Sequence, residues 1–257
     1  MHDTPLFYIP PSQWDANHVQ VHGQEFTHLR KVLRLGVDDR VQVTDGQGTL
    51  AHGSIASLQG KKAWVALEHS HLLQRNDSQV IIAPGWAKSL RRGWLLEKAA
   101  ELEARGLYFW QAEHSQGRAP EAVKPNWHGQ LVAGAKQSGN PWLPELEVFP
   151  GGLSALLEAT RDIPRRVFLW EKAEATAMFT PSAPPSQETT LAILGPEGGF
   201  SDPEIALLND CGVQPVSLGQ RVLRWETAAL LCLGLCWWHK EHQPHEKFPP
   251  GRARRLE

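Results

Sequence analysis

Hydrophobic and polar positions follow two different patterns along the chain. In the first region, residues 1–72, short β-type apolar runs at 41–43, 50–55 and 63–67 are separated by turn signals. One helical stretch, about residues 23–33, interrupts these runs. The pattern predicts a small β-barrel with one helix.

The second region begins after a polar stretch at 73–79, which is typical of a linker. Strand and helix signals then alternate, and this alternation predicts an α/β fold with a mostly parallel sheet. The predicted strands lie at 80–83, 107–110, 167–170, 191–194 and 216–218, and the predicted helices at 90–104, at 126–137 and from Glu226 onward. We expect four segments: a barrel domain at 1–72, a linker at 73–79, an α/β domain at 80–245 and a tail at 246–257.

Composition limits the class of protein. The chain has 257 residues, of which 41% are hydrophobic, enough for a buried core in one large domain or two small ones. No apolar run approaches the roughly 18 residues of a membrane span, and the start of the chain lacks the pattern of a secretory signal. We therefore expect a cytoplasmic protein with no membrane contact.

Cysteine and histidine spacing gives no sign of a metal site. The three cysteines include no Cys-x-x-Cys pair, and the 12 histidines are scattered. Cys232 and Cys236 lie one helical turn apart in an apolar run, which favours two small buried side chains in a reducing compartment. The net charge is −2, so any nucleic-acid contact must come from local basic patches.

A glycine-rich motif, LGPEGGFS at 194–201, stands between a buried strand and a helix start. Ser201 or Asp202 is the predicted N-cap, with Pro203 at the first helical position. Glycines let a ligand approach the main chain, and ligands of α/β sheets bind at the carboxyl ends of strands. The spacing matches neither the dinucleotide fingerprint nor the P-loop. Taken alone, such a turn is structural about as often as it is a site.

A second motif, LGQRVLRWETA at 218–228, also lies between a strand and a helix. Arg221 and Arg224 are three residues apart, and arginine suits phosphate or base recognition. Glu226 falls in the first helical turn, where the helix dipole favours a carboxylate in any case. A helix cap or an ion pair with Arg224 explains Glu226 as well as a catalytic role does.

Two basic clusters could contact an anion. Lys88, Arg91 and Arg92 stand at the start of a helix, where cations oppose the helix dipole, although a solvated surface is the commoner explanation. In the first region Arg30, Lys31 and Arg34 form a cluster, with Arg30 and Arg34 predicted at i,i+4 on one helical face. We favour an RNA-facing patch there.

A polar QSGN stretch at 137–140 either lines a site or ends a helix.

These stretches together resemble the small-subunit ribosomal uridine-N3 methyltransferases, a branch of the SPOUT, or trefoil-knot, RNA methyltransferases. The matching stretches occur in the family's order and cover most of the chain; they are HLRKVLR at 28–34, LLEKAAEL at 95–102, KQSG at 136–139, LGPEGGFS at 194–201 and LGQRVLRWETA at 218–228. The last two together are the most specific. Residues 113–126 depart from the family, whose members are richer there in basic and serine positions.

The resemblance implies a PUA-like N-terminal β-barrel, a C-terminal α/β domain with a deep trefoil knot, and a homodimer. It implies S-adenosylmethionine as methyl donor, held by loops at 169–172, 194–199 and 218–224. The cofactor-binding residues carried over are Leu169, Glu171, Leu194, Gly195, Pro196, Gly198, Gly199, Leu218, Gly219, Val222 and Leu223.

The implied reaction is methylation of uridine N3 in 16S ribosomal RNA. N3 must lose its proton and align with the methyl group, so a base or a charge-stabilising cation is required. Arg224 is our first candidate for stabilising the uracil anion, with Glu197 or Glu226 as base or as the partner that orients Arg224. The implied RNA-binding residues are Arg30, Lys31, Arg34, Lys88, Arg91 and Arg92.

Two other functions remain open from the sequence. One is a SPOUT methyltransferase that acts on another RNA, and the other is a non-catalytic RNA-binding ribosome-assembly factor. Both glycine motifs and Arg224 are intact, which favours an active enzyme. The weak overall charge suggests the assembled small subunit as the substrate, rather than naked RNA.

Overall fold

The computed structural model describes residues 4–75, 79–88, 91–171, 177–181 and 188–242, and it contains two separate sheets. Residues 76–78 of the predicted linker and the whole predicted tail lie outside the described residues. The chain divides into two units: residues 4–75 with Ala135–Leu143 form one, and the remaining described residues form the other. The return of Ala135–Leu143 to the first unit differs from the predicted division at 73–79. It arises because the Trp142 ring packs on Gly48, where a side chain would have no room.

The first unit is built on a curled five-stranded sheet. Its strands are β1 (Leu6–Tyr8), β2 (His18–His22), β3 (Arg40–Thr44), β4 (Thr49–Gln59) and β5 (Lys62–Leu72), in the order β1-β3-β4-β5-β2. Their inward side chains form one apolar core that includes Phe7, Leu29, Ile55 and Val65. The three strands predicted here are confirmed as β3, β4 and β5, whereas β1 and β2 were not predicted.

The predicted helix of this unit differs in form. Helix α1 (Gly23–Thr27) runs directly into a π-helical turn at His28–Val32, so the 3.6-residue spacing is lost. Arg34 lies beyond this turn with φ +57°. The prediction that Arg30 and Arg34 share one face of an α-helix is therefore wrong.

The second unit has a six-stranded sheet in which every neighbouring pair is parallel. Its order is β11-β9-β10-β6-β7-β8, and the strands are β6 (Val80–Pro84), β7 (Gly106–Trp110), β8 (Glu145–Phe149), β9 (Arg165–Leu169), β10 (Thr190–Leu194) and β11 (Gln214–Val216). The helices are α2 (Arg92–Glu101), α3 (Pro125–Ser138), α4 (Leu153–Ala159), α5 (Asp202–Asp210) and α6 (Trp225–Glu241), and the last four residues of α3 belong to the first unit. The mixed α/β fold, with a curled N-terminal sheet and a C-terminal parallel sheet, agrees with the predicted fold class.

Most predicted elements of this unit are present, with shifted ends. Helix α2 is shorter than the predicted 90–104 because Leu102 is its C-cap and Glu103 takes a left-handed φ of +53°. Strand β11 lies two residues earlier than the predicted 216–218, since it pairs with β9 from Gln214. Strand β8 and helix α4 were not predicted.

Strands β6 and β10 are buried along their whole length at the centre of the sheet. Helix α6 covers them with Ala229, Cys232 and Leu233. Because all strands are parallel, the carboxyl ends of β6, β9, β10 and β11 meet at one edge. No helix in the described part of the chain is long and apolar enough to cross a membrane.

Candidate active site

A cleft of about 640 Å³ opens at this carboxyl edge of the parallel sheet. Four segments that are distant in sequence form it: Arg91 just before α2, the end of β9, the end of β10 with the glycine loop after it (residues 195–200), and the stretch 222–228 that leads into α6. A smaller recess of about 80 Å³ lies beside it and shares Leu169, Glu171, Val222, Leu223 and Ala228 with it. A parallel sheet places its ligand sites at this edge.

The structure brings the predicted cofactor residues together. Those that line the cleft are Leu169, Glu171, Leu194, Gly195, Pro196, Gly198, Gly199, Val222 and Leu223, and those that line only the smaller recess are Leu218 and Gly219. Arg224, Glu197 and Glu226 line the same cleft. Lys172, the last residue of the first predicted loop, lies outside the described residues.

The glycine loop turns tightly against the neighbouring strand β6. The Gly199 N–H donates to the Pro196 carbonyl at 2.9 Å, and Gly199 has φ +73°, which favours glycine. A Cβ on Gly85, just after β6, would lie 2.7 Å from the Pro196 nitrogen. Gly85 therefore lets Pro196 pack directly on the end of β6.

Helix α5 begins with a complete capping box. Ser201 is the N-cap: its hydroxyl accepts from the Glu204 N–H, while the Glu204 carboxylate accepts from the Ser201 N–H at 2.9 Å. The helix starts at Asp202, so Pro203 occupies the second helical position rather than the predicted first. The capping box fixes the end of the glycine loop.

The second loop presents Arg224 at the cleft. Gly219 has φ +123°, and the Ser217 hydroxyl bonds to both the N–H and the carbonyl of Gly219. Arg224 is the N-cap residue of α6, its side chain makes no cap bond, and it is exposed. Within the described residues Arg224 has no hydrogen-bond or ion-pair partner, so its guanidinium is available to a ligand.

Glu226 is paired with Arg91, and not with Arg224 as one prediction had it. Nη1 of Arg91 lies 2.8 Å from Oε1 of Glu226, whose side chain is 6% exposed. The positive charge of Arg91 compensates this buried carboxylate, which favours an orienting role for Glu226 over proton removal.

Glu197 has a different environment from Glu226. It is exposed in the glycine loop, and its Oε2 accepts from Nε2 of Gln116 at 2.9 Å. Among the described residues, a neutral amide is the one hydrogen-bond partner of this carboxylate. Glu197 is therefore better suited than Glu226 to accept a proton from a ligand in the cleft.

The predicted RNA-contact cations are not equivalent. The Arg92 guanidinium lies 3.9 Å above the Trp86 ring and 5.4 Å from the Trp127 ring, and it donates to the Ala87 carbonyl. Burial lowers the pKa of Arg92. This enclosure favours a structural role for Arg92 over the predicted RNA contact. Arg91, by contrast, lines the cleft with a half-exposed side chain.

The other predicted RNA-contact cations are exposed. Lys88 lies just before residues 89–90, which are outside the described set. In the first unit Arg30, Lys31 and Arg34 are exposed around the π-helical turn, although Arg30 also donates to the Leu35 carbonyl. These positions leave the cations open to phosphate groups.

Some cleft residues lie in or near the two motifs but were not among the predicted site residues. Phe200 and Trp225 line the cleft beside the motif residues, and Phe200 stacks on Trp110 at 6.0 Å between ring centroids. Gln116 donates to Glu197 in the glycine loop, and the Glu204 carboxylate accepts from the Glu113 N–H; neither contact was predicted. In the described part of the chain, no group of three or more His, Cys, Asp or Glu side chains could hold a metal ion.

Two family models match the chain. The model described as an RNA methyltransferase domain matches residues 74–237, and the model described as an RNA methyltransferase PUA domain matches residues 21–68. The first match covers more than half of the chain and contains every residue of the cleft.

Relatives and solved structures agree with these matches. The chain is 28% identical to the ribosomal RNA small subunit methyltransferase E of Mycobacterium bovis, over 89% of each protein. It is 24% identical to the protein of that name from Bacillus subtilis, over 88% of this chain and 92% of the relative. A probable rRNA-methyltransferase from Porphyromonas gingivalis superposes with a TM-score of 0.77 at 26% identity, over 92% of this chain and 97% of that one.

The fold is also similar to that of the ribosomal RNA small subunit methyltransferase E of Neisseria gonorrhoeae, solved bound to S-adenosyl methionine. The TM-score is 0.73 at 22% identity, over 90% of this chain and 95% of the other.

Proposed function

The chain belongs to the RNA methyltransferase domain family, and we propose that it transfers the methyl group of S-adenosylmethionine to N3 of a uridine in 16S ribosomal RNA. The observation that carries this proposal is one cleft in which both glycine-containing loops meet Arg224, whose side chain has no partner among the described residues. Two relatives named for small-subunit ribosomal RNA methylation support the choice of substrate.

The residues of the cleft fit S-adenosylmethionine. That molecule carries a positive sulfonium and an amino group, and Glu171 and Glu197 supply negative charge in the cleft. Added Cβ atoms on Gly199 and Gly219 would meet nothing within 4 Å, so main chain is accessible there to a flat base. The buried indole N–H of Trp225, which lines the cleft, has no partner among the described residues. When bound, the cofactor supplies the methyl group.

Arg224 and Glu197 would be the side chains that take part in the reaction. The uridine N3 proton must leave, and the negative charge that develops spreads over the uracil oxygens. We assign to Arg224 the stabilisation of that charge and to Glu197 the acceptance of the proton. Glu226, held by Arg91, would keep the first turn of α6, whose N-cap is Arg224, in position. The target uridine must leave its stack to enter the cleft.

We assign RNA positioning to the exposed cations. Arg30, Lys31 and Arg34 would contact phosphates, which orients RNA without reading its sequence. Residues 1–72 would thus serve as the RNA-binding domain and residues 80–245 as the methyltransferase domain. Because the net charge is only −2, the assembled small subunit in the cytoplasm is the better substrate than naked RNA.

We also propose a homodimer. One face of α6 is core, with Ala229, Cys232 and Leu233 buried. Another face leaves Leu231 38% and Trp238 58% exposed, seven residues and two turns apart. Exposed apolar side chains at this spacing fit a helix that packs against a second copy.

Labelled methyl transfer to small subunits from a strain that lacks the corresponding modification tests the proposal. Nucleoside mass spectrometry should find 3-methyluridine. A different methylated nucleoside, or transfer only to another RNA, would redirect the enzyme to that substrate. Binding of S-adenosylmethionine without transfer to any RNA tested would reject this substrate. If the protein neither binds S-adenosylmethionine nor transfers a methyl group, a non-catalytic assembly factor is favoured.

A further inference from the structure

The loop that follows β7, residues 111–119, is closed by its own side chains. The Gln111 side-chain oxygen accepts from the Ala119 N–H at 2.7 Å, while its amide nitrogen donates to the Ala112 carbonyl at 3.1 Å. The Ser115 hydroxyl accepts from the Ala112 N–H at 2.9 Å. These bonds give the 111–119 loop a defined shape that can hold another segment in place.

One carboxylate joins this loop to the glycine loop. Glu204 is buried, at 9% exposure. Its Oε2 accepts from the Ser201 N–H at 2.9 Å, and its Oε1 accepts from the Glu113 N–H at 2.8 Å, 91 residues away in sequence. Capping of α5 requires only the Ser201 bond. The bond to Glu113 is additional, and charge-assisted bonds to a buried carboxylate are strong.

Two further contacts lie between the same loops. A Cβ on Gly198 would come within 2.8 Å of the His114 Cβ, so Gly198 permits close approach of the 111–119 loop. Beyond His114, Gln116 donates to Glu197, the proposed proton acceptor. The placement of Glu197 therefore depends on where the 111–119 loop lies.

We propose that Glu204 is a positioning residue for methyl transfer, which acts by fixing the 111–119 loop so that Gln116 orients Glu197. The proposal rests on the proposed function and adds Glu204 and Gln116 to its working parts. Misplacement of a reacting group by about 1 Å can slow an enzyme on the order of 100-fold. A single link between two loops is therefore enough to govern rate.

The deciding comparison is between Glu204→Gln and Ser201→Ala. Ser201→Ala removes the other half of the capping box and leaves the Glu113 link intact, so it controls for the loss of helix capping. Glu204→Gln keeps the size of the side chain, but its NH2 group then faces one of the two backbone N–H donors. We expect both variants to lose similar thermal stability.

Methyl transfer and amide hydrogen exchange should then separate the two variants. In Glu204→Gln we expect kcat to fall roughly 10- to 100-fold below that of Ser201→Ala, with little change in KM for RNA, and the Glu113 amide to exchange faster. Equal kcat values in the two variants would overturn the proposal. An inactive wild-type protein would instead reject the proposed function, while unchanged exchange at Glu113 would by itself overturn the link.

Gln116→Ala provides a second test, since Gln116 is exposed and we expect its loss to leave the fold intact. We expect a lower kcat with unchanged thermal stability and unchanged affinity for S-adenosylmethionine. Gln59→Ala, at an exposed position at the end of β4, is the matched control and should retain wild-type rate. Wild-type kcat in Gln116→Ala would overturn the orienting step.

Discussion

The guanidinium of Arg91 and the carboxylate of Glu226 meet at 2.8 Å across 135 residues of sequence. Arg91 precedes α2 and Glu226 lies in the first turn of α6, so the pair joins the starts of two helices at the cleft. The carboxylate is buried and the guanidinium is half exposed. Removal of Arg91 and removal of Glu226 should therefore change the free energy of unfolding by different amounts.

We expect Arg91→Ala to reduce the free energy of unfolding by about 1–2 kcal/mol, since it leaves a buried carboxylate without its cation and solvent screens only the arginine side. The double variant Arg91→Ala/Glu226→Gln should recover part of that loss in urea titrations. Arg161→Ala, which breaks an exposed pair with Glu158, should lose less. A loss as small as that of Arg161→Ala would show that the Arg91 pair is not structural.

Replacement of Arg224 by alanine should lower kcat by about 100- to 1000-fold, the usual effect of losing one preorganised charge-stabilising group. Because Arg224 has no partner within the described residues, the thermal stability of the Arg224→Ala variant should match that of the wild type. Affinity for S-adenosylmethionine, measured by calorimetry, should change little. Wild-type activity in Arg224→Ala would mean that another residue stabilises the developing charge.

Gly85→Ala should weaken binding of S-adenosylmethionine, because the new Cβ would lie 2.7 Å from Pro196 and displace the glycine loop. The steric strain should also destabilise the protein by about 1–3 kcal/mol. Gly129→Ala is the contrasting variant. Gly129 lies in α3 with open space around it, so an alanine there should raise the free energy of unfolding by about 0.5–1 kcal/mol. Isothermal titration and thermal unfolding of both variants test the pair.

Arg92→Lys should cost about 1–2 kcal/mol of stability, since lysine cannot reproduce planar stacking on Trp86. It should leave the salt dependence of RNA binding unchanged. Arg30→Ala should do the opposite and reduce the slope of log K against log salt by roughly 0.7–0.9 for one lost phosphate contact. If Arg92→Lys changes the slope of log K against log salt, Arg92 does contact RNA as first predicted.

Stability of the first unit should depend on His52 near neutral pH. Burial, and the nearby His69 and His71, lower the pKa of His52, while Glu68 acts in the opposite direction. The folded pKa is thus below the unfolded value, so the unfolded chain binds more protons between them. The stabilisation is full well above 6.5, the ordinary pKa of histidine, and declines as pH falls toward the folded pKa. His52→Gln should flatten this decline in urea titrations between pH 7 and pH 5.

Local chemistry accounts for the parts of the site that the sequence predicted. Gly199 and Gly219 adopt left-handed φ values, and such turns are visible as glycines between a strand and a helix. Arg91 and Glu226, or Glu113 and Glu204, are brought together by the fold alone, and no local pattern indicates them. A search by sequence therefore finds loops more readily than it finds the contacts that hold them.

The elements that were missed have physical reasons as well. β1 spans only three residues, and β8 is an edge strand with a mixed polar pattern. The stretch at 23–33 has helical character, but its π-helical turn shifts the side chains away from the expected face. Cys232 is buried as predicted, and Cys236 is half-buried in the same helix, with its pKa raised by burial to about 12.

The order of strands in the parallel sheet has a consequence for synthesis of the chain. β6 pairs with β10, which begins 110 residues later, from Val80 to Thr190. At roughly 5–20 residues per second, a ribosome needs about 5–20 s to make that interval. One hydrogen-bonding edge of β6 is therefore unpaired in the nascent chain, and the methyl-donor site is incomplete until Ala228, the last residue of the cleft, has been made.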